Sequence, residues 1–476
     1  MIDKEKLRRA WTITKKAVTL AAIVALLTAT AFAVKFTYDF FAEGIFGGGK
    51  SSGLLEEFFP GAEPESPTDS GPTEPQSITE TARATVTVGG DVMMHIPVIN
   101  SGAQGDGTYN YDKIFSKIES YVNKADLAVA NLETTLGGTE NGNEYSGYPQ
   151  FNCPDAIADA VKNAGFDLFL TANNHANDTG AAGLKRTYDT VKAAGLEILG
   201  TMGTGDEAKY QVLDVNGIKL GLVCYTYGEI DTNTGRPSVN GLPLDDSVSS
   251  RINIFDYNKL DVFYGQMENH IEAMREEGAE AIVLFIHWGN EYQLKPNDYQ
   301  KTIAQKMCDL GVDVIAGGHP HVVQPITMLT GTEDPDHRTL CMYSVGNLVS
   351  NQRSDNVGVS SGHTEDGVLF SFTFVKYSNG EVHLDSADLL PTWVQMWKED
   401  GHKEYRILPL DSGVEDWQTA LDISDSAYSS AKKSYDRTMS IVSDGLDTVQ
   451  TYLDQTREER EAAFSIEDLD TDEGVG

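Results

Sequence analysis

From Ala84 onward the apolar residues fall in short runs separated by helix-spaced segments. Ala84-Thr85-Val86-Thr87-Val88 alternates with period two and predicts a first strand, and the runs Ala125–Ala130 and Asp167–Thr171 predict further short ones. Between and after them, Pro154–Ala164 and Leu184–Ala194 carry helical spacing. Val212–Val215 and Ile218–Val223 flank Asn216-Gly217, a strong hairpin signal. The pattern continues as a helix near Leu260–Glu277, a strand Ala281–Ile286, a helix Asp298–Leu310 and a strand Val312–Ala316. Strands around Thr339–Tyr343 and Val368–Lys376 follow, with a second hairpin turn at Asn379-Gly380. This alternation predicts an α/β domain, with no internal repeat. Beyond Asp411, Tyr428, Ala431, Tyr435, Met439, Val442, Leu446, Val449 and Leu453 step by three and four, so one amphipathic helix is expected. It either packs back on the domain or serves self-association; Ile466–Gly476 reads as a solvated acidic tail.

The N-terminal pattern is different. Lys4, Lys6, Arg8, Arg9, Lys15 and Lys16 precede an uncharged run of 18 residues, Ala17–Val34. At 1.5 Å per residue that run reaches roughly 27 Å, close to a hydrocarbon core of about 30 Å, and the cationic flank stays inside. A membrane anchor with the domain outside the cell is expected, and secretion if Ala31-Phe32-Ala33 is cleaved as a signal sequence. Five prolines lie between 60 and 75, and no Lys or Arg occurs from 51 to 82, which predicts an extended tether. The expected organisation is a basic segment 1–16, an anchor or signal 17–34, a disordered linker 47–82, a domain 84–410 and an acidic extension 411–476.

Charge narrows the partners. The 476 residues hold 36 Lys+Arg against 72 Asp+Glu, a net charge of −36, which excludes a nucleic-acid binder and disfavours anionic lipid surfaces. Cys153, Cys224, Cys308 and Cys341 show no zinc-ribbon, cluster or CxxC spacing; buried thiols are expected, with one disulfide open in an exported chain.

Five short motifs follow strand-like runs and are rich in metal-ligand types: Gly90-Asp91-Val92-Met93-Met94-His95, Asn131-Leu132-Glu133, Asn173-Asn174-His175-Ala176-Asn177-Asp178, His287-Trp288-Gly289-Asn290-Glu291 and Gly318-His319-Pro320-His321. Each alone has a plain reading as a cap, turn or core histidine. In an open α/β sheet, however, ligands collect beyond the carboxyl ends of strands, where distant motifs converge. Oxygen and imidazole donors without a thiolate suit Mn, Fe, Zn or Mg.

This ordered set, followed by Tyr343-Ser344-Val345-Gly346-Asn347, resembles the bacterial capsule-synthesis CapA (poly-γ-glutamate, PGA_cap) family, itself similar to calcineurin-like metallophosphatases. The likeness spans about Ala84–Leu390. It implies a four-layer α/β/β/α metallophosphatase-like sandwich and an extracytoplasmic, membrane-tethered protein. It further implies two divalent metal ions: Asp91 on one, Glu133 bridging, Asn174, His287 and His319 on the second, and His321 returning to the first. His175 would act as general acid, and His95, Asp178, Glu291 and Asn347 are further site candidates.

The chain departs from the metallophosphatase pattern at three places. Met93 stands where an imidazole is usual, with His95 two residues on; Leu136 stands where an Asp would orient the catalytic His, leaving Asp178 as the candidate partner; and the phosphate-clamping Arg is missing. The function implied is poly-γ-glutamate capsule biosynthesis or processing, with that polymer or another anionic polymer and a capsule synthase membrane complex as partners. The alternatives are a metal-dependent phosphoesterase acting on an exported metabolite and a non-catalytic polymer-binding accessory protein.

Overall fold

The computed structural model describes residues 78–231, 234–355 and 361–470. The expected anchor at 17–34, the linker through residue 77 and the last six residues of the tail lie outside them. No helix among the described residues is long and apolar enough to cross a membrane.

Strands are numbered along the chain. The first sheet holds β1 (Glu80–Val92), β2 (Leu127–Leu132), β3 (Leu168–Leu170), β4 (Glu197–Leu199), β15 (Asn347–Val349), β16 (Asp366–Tyr377), β17 (Val382–Glu399) and β18 (His402–Pro409). Its order is β18-β17-β16-β1-β2-β3-β4, with β15 paired to β1. The second holds β5 (Tyr210–Val215), β6 (Ile218–Tyr227), β10 (Ile254–Phe255), β11 (Ala281–His287), β12 (Val314–Gly318), β13 (Ile326–Thr330) and β14 (Arg338–Met342). Its order is β10-β6-β11-β12-β14-β13, with β5 paired to β6. A small meander of β7 (Glu229–Ile230), β8 (Pro237–Val239) and β9 (Leu242–Pro243) stands beside it.

Period-two alternation builds the layers. Ala84, Val86 and Val88 of β1, Leu127 and Val129 of β2, and Leu168 and Leu170 of β3 face one shared core. Leu220 and Leu222 of β6, Val283 and Phe285 of β11, and Leu340 and Met342 of β14 face the same core from the second sheet. The alternate residues point outward: Ala128, Ala130 and Phe169 pack with Ile114, Phe115, Ile157 and Val161 of the helices Asp112–Phe115 and Ala156–Asn163. On the other side Ile282, Leu284 and Ile315 meet Phe263, Met267 and Met274 of the helix Leu260–Glu276, and Ile303 and Met307 of the helix Asp298–Asp309. Two sheets therefore face each other with helices on both outer surfaces, the expected α/β/β/α layering.

The hairpin at Asn216-Gly217 is present, with φ of 51° and 89° at those two residues, the positive pair a two-residue turn requires. The C-terminal helix, Asp425–Asp470, packs back on the domain. Its Val442, Leu446, Val449 and Leu453 join the inter-sheet core beside Phe370 and Phe372 of β16 and Ile326 of β13. Approach is close enough that a Cβ on Gly445 would lie 2.1 Å from the Ile326 carbonyl oxygen. Arg437 and Ser434 of the same helix donate to the buried Asp366 carboxylate at 2.6–2.7 Å. All four cysteines are buried and free, and burial pushes the Cys153 and Cys224 thiols up to about 12.

Candidate metal centre

The five motifs meet at the carboxyl ends of parallel strands from both sheets. In β1 the register with β2 runs Val88 to Val129 but Asp91 to Asn131, so one extra residue bulges out at Gly89-Gly90. That extra residue reverses the alternation and turns Asp91 toward the side that Val88 faces. Only a glycine fits there: a Cβ on Gly90 would lie 2.0 Å from the Gly346 carbonyl oxygen, which accepts the Asp91 N–H at 3.0 Å. On β2, Leu127, Val129, Asn131 and Glu133 follow one face, which places a polar pair at the end of an apolar row.

His287 is the last residue of β11, and His319 and His321 sit in the loop after β12. Both loop histidines hold left-handed backbone conformations, φ 94° and 56°, costly for non-glycine residues and typical of functional sites. The loop is braced from two sides: the Trp288 N–H donates to Gly318 O at 3.1 Å and the Tyr292 N–H to Pro320 O at 2.8 Å. The Trp288 indole N–H reaches Tyr343 O at 2.9 Å.

Two overlapping groups of donors result. Asp91, Glu133 and His321 form one, and Glu133, His287 and His319 the other, each with its ligand atoms within 4.8 Å of one another. Glu133 belongs to both. Its Oε1 lies 3.3 Å from His287 Nε2 and 3.8 Å from His321 Nε2. His287 Nε2 also lies 2.7 Å from Asn174 Oδ1, which brings the amide oxygen to the second group. Asp91 Oδ2 is 3.2 Å from His321 Nδ1, while Asp91 Oδ1 accepts from Asn131 Nδ2 at 2.7 Å.

These donors fit a divalent cation. Glu133 is fully buried, yet neither of its carboxylate oxygens has a hydrogen-bond partner among the described residues, and the same holds for His319 Nδ1. A buried carboxylate without a hydrogen bond costs several kcal/mol unless a cation lies beside it. In the metal-free site the imidazoles divide. Burial drives His319 well below its ordinary range, and the neighbouring His287 and His321 reinforce it, which leaves an imidazole lone pair free. Burial also works against a charged His321, but Glu133 and Asp91 overcome it and hold that imidazole up to about 9. Asp91 is lowered, because hydrogen bonding to His321 and the nearby imidazoles outweigh its burial.

Beside the groups, His175 Nδ1 lies 2.7 Å from Asp178 Oδ2, which also accepts the Phe151 N–H at 2.5 Å. Burial raises the Asp178 carboxyl, opposed by His175. The Phe151 ring stands edge-on to His175 at 4.7 Å and to His95 at 5.0 Å. His95 is outside both donor groups; its Nδ1 accepts the Asn351 N–H at 3.3 Å, and burial lowers it to about 4. Glu291 is exposed at the rim. Asn347 is buried, and its amide N–H group donates to His321 O at 3.3 Å, Gln352 Oε1 at 3.0 Å and Thr364 O at 2.9 Å, so it ties the His321 backbone to the segments that follow.

Sequence reasoning did not assign roles to Asn131, Asn173, Phe151 or Tyr227. Asn173 Nδ2 donates to Asn131 Oδ1 at 3.1 Å and to Leu132 O at 2.8 Å, and its Oδ1 accepts the His175 N–H at 3.1 Å, linking two of the motifs. For Asn131 the signal was available: it lies two residues before Glu133, on the same strand face. Phe151 and Tyr227 carried none, because they reach the site through tertiary packing.

Residues 85–352 match the family model described as bacterial capsule synthesis protein PGA_cap. The chain is 29% identical over 282 residues to the capsule biosynthesis protein CapA of Bacillus anthracis, covering 57% of this chain and 61% of that protein. It is 27% identical over 323 residues to the PGA biosynthesis protein CapA of Bacillus subtilis (strain 168), covering 66% and 76%. The match thus spans less than two thirds of the Bacillus anthracis protein. A solved putative 5′-nucleotidase from Staphylococcus aureus aligns with a TM-score of 0.37 at 12% identity, over 74% of this chain and 58% of that one, too distant to bear on fold or activity.

Proposed function

We propose that this chain, which belongs to the bacterial capsule synthesis PGA_cap family, acts in poly-γ-glutamate capsule biosynthesis or processing through a dinuclear metal site of metallophosphatase type. The observation that carries the proposal is the sharing of Glu133 by two donor groups. In this assignment Asp91, Glu133 and His321 hold one divalent ion, and Glu133, Asn174, His287 and His319 the other. Such a pair, once bound, supplies an activated water and positive charge where an anionic substrate is cleaved.

The chain's own residues supply the rest. Asp178 holds His175 by Nδ1, which leaves Nε2 as the nitrogen available to give a proton to a leaving group. Asn173 fixes the His175 backbone through its own side chain, so the general acid is positioned from both ends. The buried Phe151 ring stands against the imidazole and keeps bulk water from that side. A catalytic role is therefore favoured over passive binding, since a site that only bound polymer would have no use for a carboxylate-oriented imidazole.

We read the uncharged run at 17–34 as an anchor that places the domain outside the membrane, and infer a membrane-bound capsule synthase as its partner. The test is to measure metal content of the full-length protein and then incubate it with poly-γ-glutamate and with bis(4-nitrophenyl) phosphate, with and without chelator. Metal-dependent shortening of the polymer is expected. Turnover of the phosphodiester alone would move the activity to the phosphoesterase class, and no turnover of either by the metal-loaded protein would remove the catalytic role.

A further inference from the structure

No Arg or Lys among the described residues is hydrogen-bonded to Asp91, Glu133, Asn174, His175, His287, His319 or His321. A substrate oxygen held at metal ions still needs a donor on its open side if negative charge is to be stabilised there. With no Arg or Lys bonded to these donors, the role falls to a neutral group.

Tyr227, the last residue of β6, is half-buried at the edge of the cleft. Its ring centroid lies 4.8 Å from that of His319, and 6.1 Å from that of Tyr257 at 28° between planes. Tyr257 is itself fixed, since its hydroxyl accepts the Gly289 N–H at 2.8 Å and its ring meets Tyr299 at 4.9 Å. The ring of Tyr227 is therefore held firmly, yet its hydroxyl has no hydrogen-bond partner among the described residues. Its neighbours differ: the hydroxyls of both Tyr257 and Tyr292 are engaged, the latter accepting from Gln352 at 3.3 Å.

We propose that the Tyr227 hydroxyl donates a hydrogen bond to an anionic oxygen of a substrate bound beside His319. The inference rests on the metal-site assignment above and adds to it the residue that receives the substrate. The chemistry is shared by a phosphoryl oxygen and by a glutamyl carboxylate or carbonyl oxygen. A neutral phenol adds directionality without adding charge, which suits a site whose donors have no Arg or Lys bonded to them among the described residues.

The experiment loads the full-length protein and its Tyr227→Phe variant with Mn²⁺ and titrates each with inorganic phosphate and with γ-glutamylglutamate by calorimetry. Phe keeps the ring stacking, so metal content should be equal in the two proteins. The expected result is a loss of roughly tenfold or more in affinity for at least one probe, the size of a hydrogen bond to a charged group. Which probe responds tells whether the oxygen is phosphoryl or glutamyl. Equal affinities in the two proteins overturn the proposal, as does failure of the wild type to bind either probe. Loss of metal in Tyr227→Phe would make the residue structural and also overturn it. If the wild type itself holds no metal, the metal-site assignment fails first, a result distinct from the others.

Discussion

Raising the pH from 6.5 to 9 should destabilise the metal-free protein and, over the same interval, tighten its hold on divalent cations. The group responsible is His321, fully buried with Nδ1 3.2 Å from Asp91 Oδ2 and Nε2 3.8 Å from Glu133 Oε1. Burial alone would depress it, but the two carboxylates hold it up to about 9, against about 6.5 in an unfolded chain. A gap of roughly 2.5 units is worth about 3 kcal/mol. The depressed Asp91 belongs to the same contact and is not counted again. Below pH 6.5 both states carry the His321 proton and the stabilisation is complete. Between 6.5 and 9 the unfolded state has released that proton while the folded state keeps it, so stability falls, and above 9 the contribution is gone. With about 2.1 cal/mol/K per residue of unfolding entropy over a domain of about 400 residues, the loss lowers Tm by roughly 4 °C. His319 and His95, both depressed by burial, act on the other side and remove stability below pH 6.5, so the curve should peak near there. Metal binding requires His321 to surrender the same proton, hence an affinity that rises by up to about tenfold per pH unit across the window. Calorimetric unfolding in chelator at pH 6.5, 7.5 and 9, with metal titrations alongside, measures both slopes. His321→Gln should flatten them. A flat wild-type profile, or an undiminished slope in His321→Gln, would refute the reasoning.

Three further outcomes are expected. Gly90→Ala drives a Cβ to within 2.0 Å of the Gly346 carbonyl oxygen, so the strand must shift beside Asp91; a loss of about 1–3 kcal/mol together with weaker metal retention is expected by calorimetry and metal analysis, and wild-type values for both would count against the bulge argument. Asn174→Ala should lose metal and activity together, whereas His175→Ala should keep the metal and lose roughly 10²–10⁴-fold in rate, least for an activated ester; equal metal loss in both would remove the distinction between ligand and general acid. Protease added to intact, wall-permeable cells should degrade the domain while sparing the residues before Ala17, and a protected domain would contradict export.

The parts of the fold legible in the sequence are those where local pattern and tertiary environment agree. β11 is a continuous apolar run buried on both faces, and Asn216-Gly217 has the turn chemistry its hairpin needs. The helix Asp298–Asp309 begins with a reciprocal capping box between Asn297 and Gln300. The start of β17 was legible in the Asn379-Gly380 turn that pairs it with β16, but its 18-residue span and its pairing with β18 were not, because Pro391 and the polar residues around Asp385 interrupt its alternation. Pro391 is accommodated opposite Val368, and its carbonyl accepts the Leu410 N–H at 2.8 Å. At the site, motif order brought Asp91, Glu133, Asn174, His287, His319 and His321 into one set, but their distances depend on the Gly89-Gly90 bulge, which no residue spacing announces. Position 95 illustrates the limit. An imidazole four residues after Asp91 looks available to the same ion, yet the chain turns there and His95 faces Phe151 and the Asn351 amide.

The central claim is that two metal ions share Glu133. It is tested most directly by metal stoichiometry of the purified full-length protein after equilibrium with Mn²⁺, comparing wild type with Glu133→Ala and His319→Ala. The account predicts two ions per chain in the wild type, loss of both in Glu133→Ala, and loss of one in His319→Ala. Two ions retained in Glu133→Ala, or a wild type that never exceeds one, would contradict it.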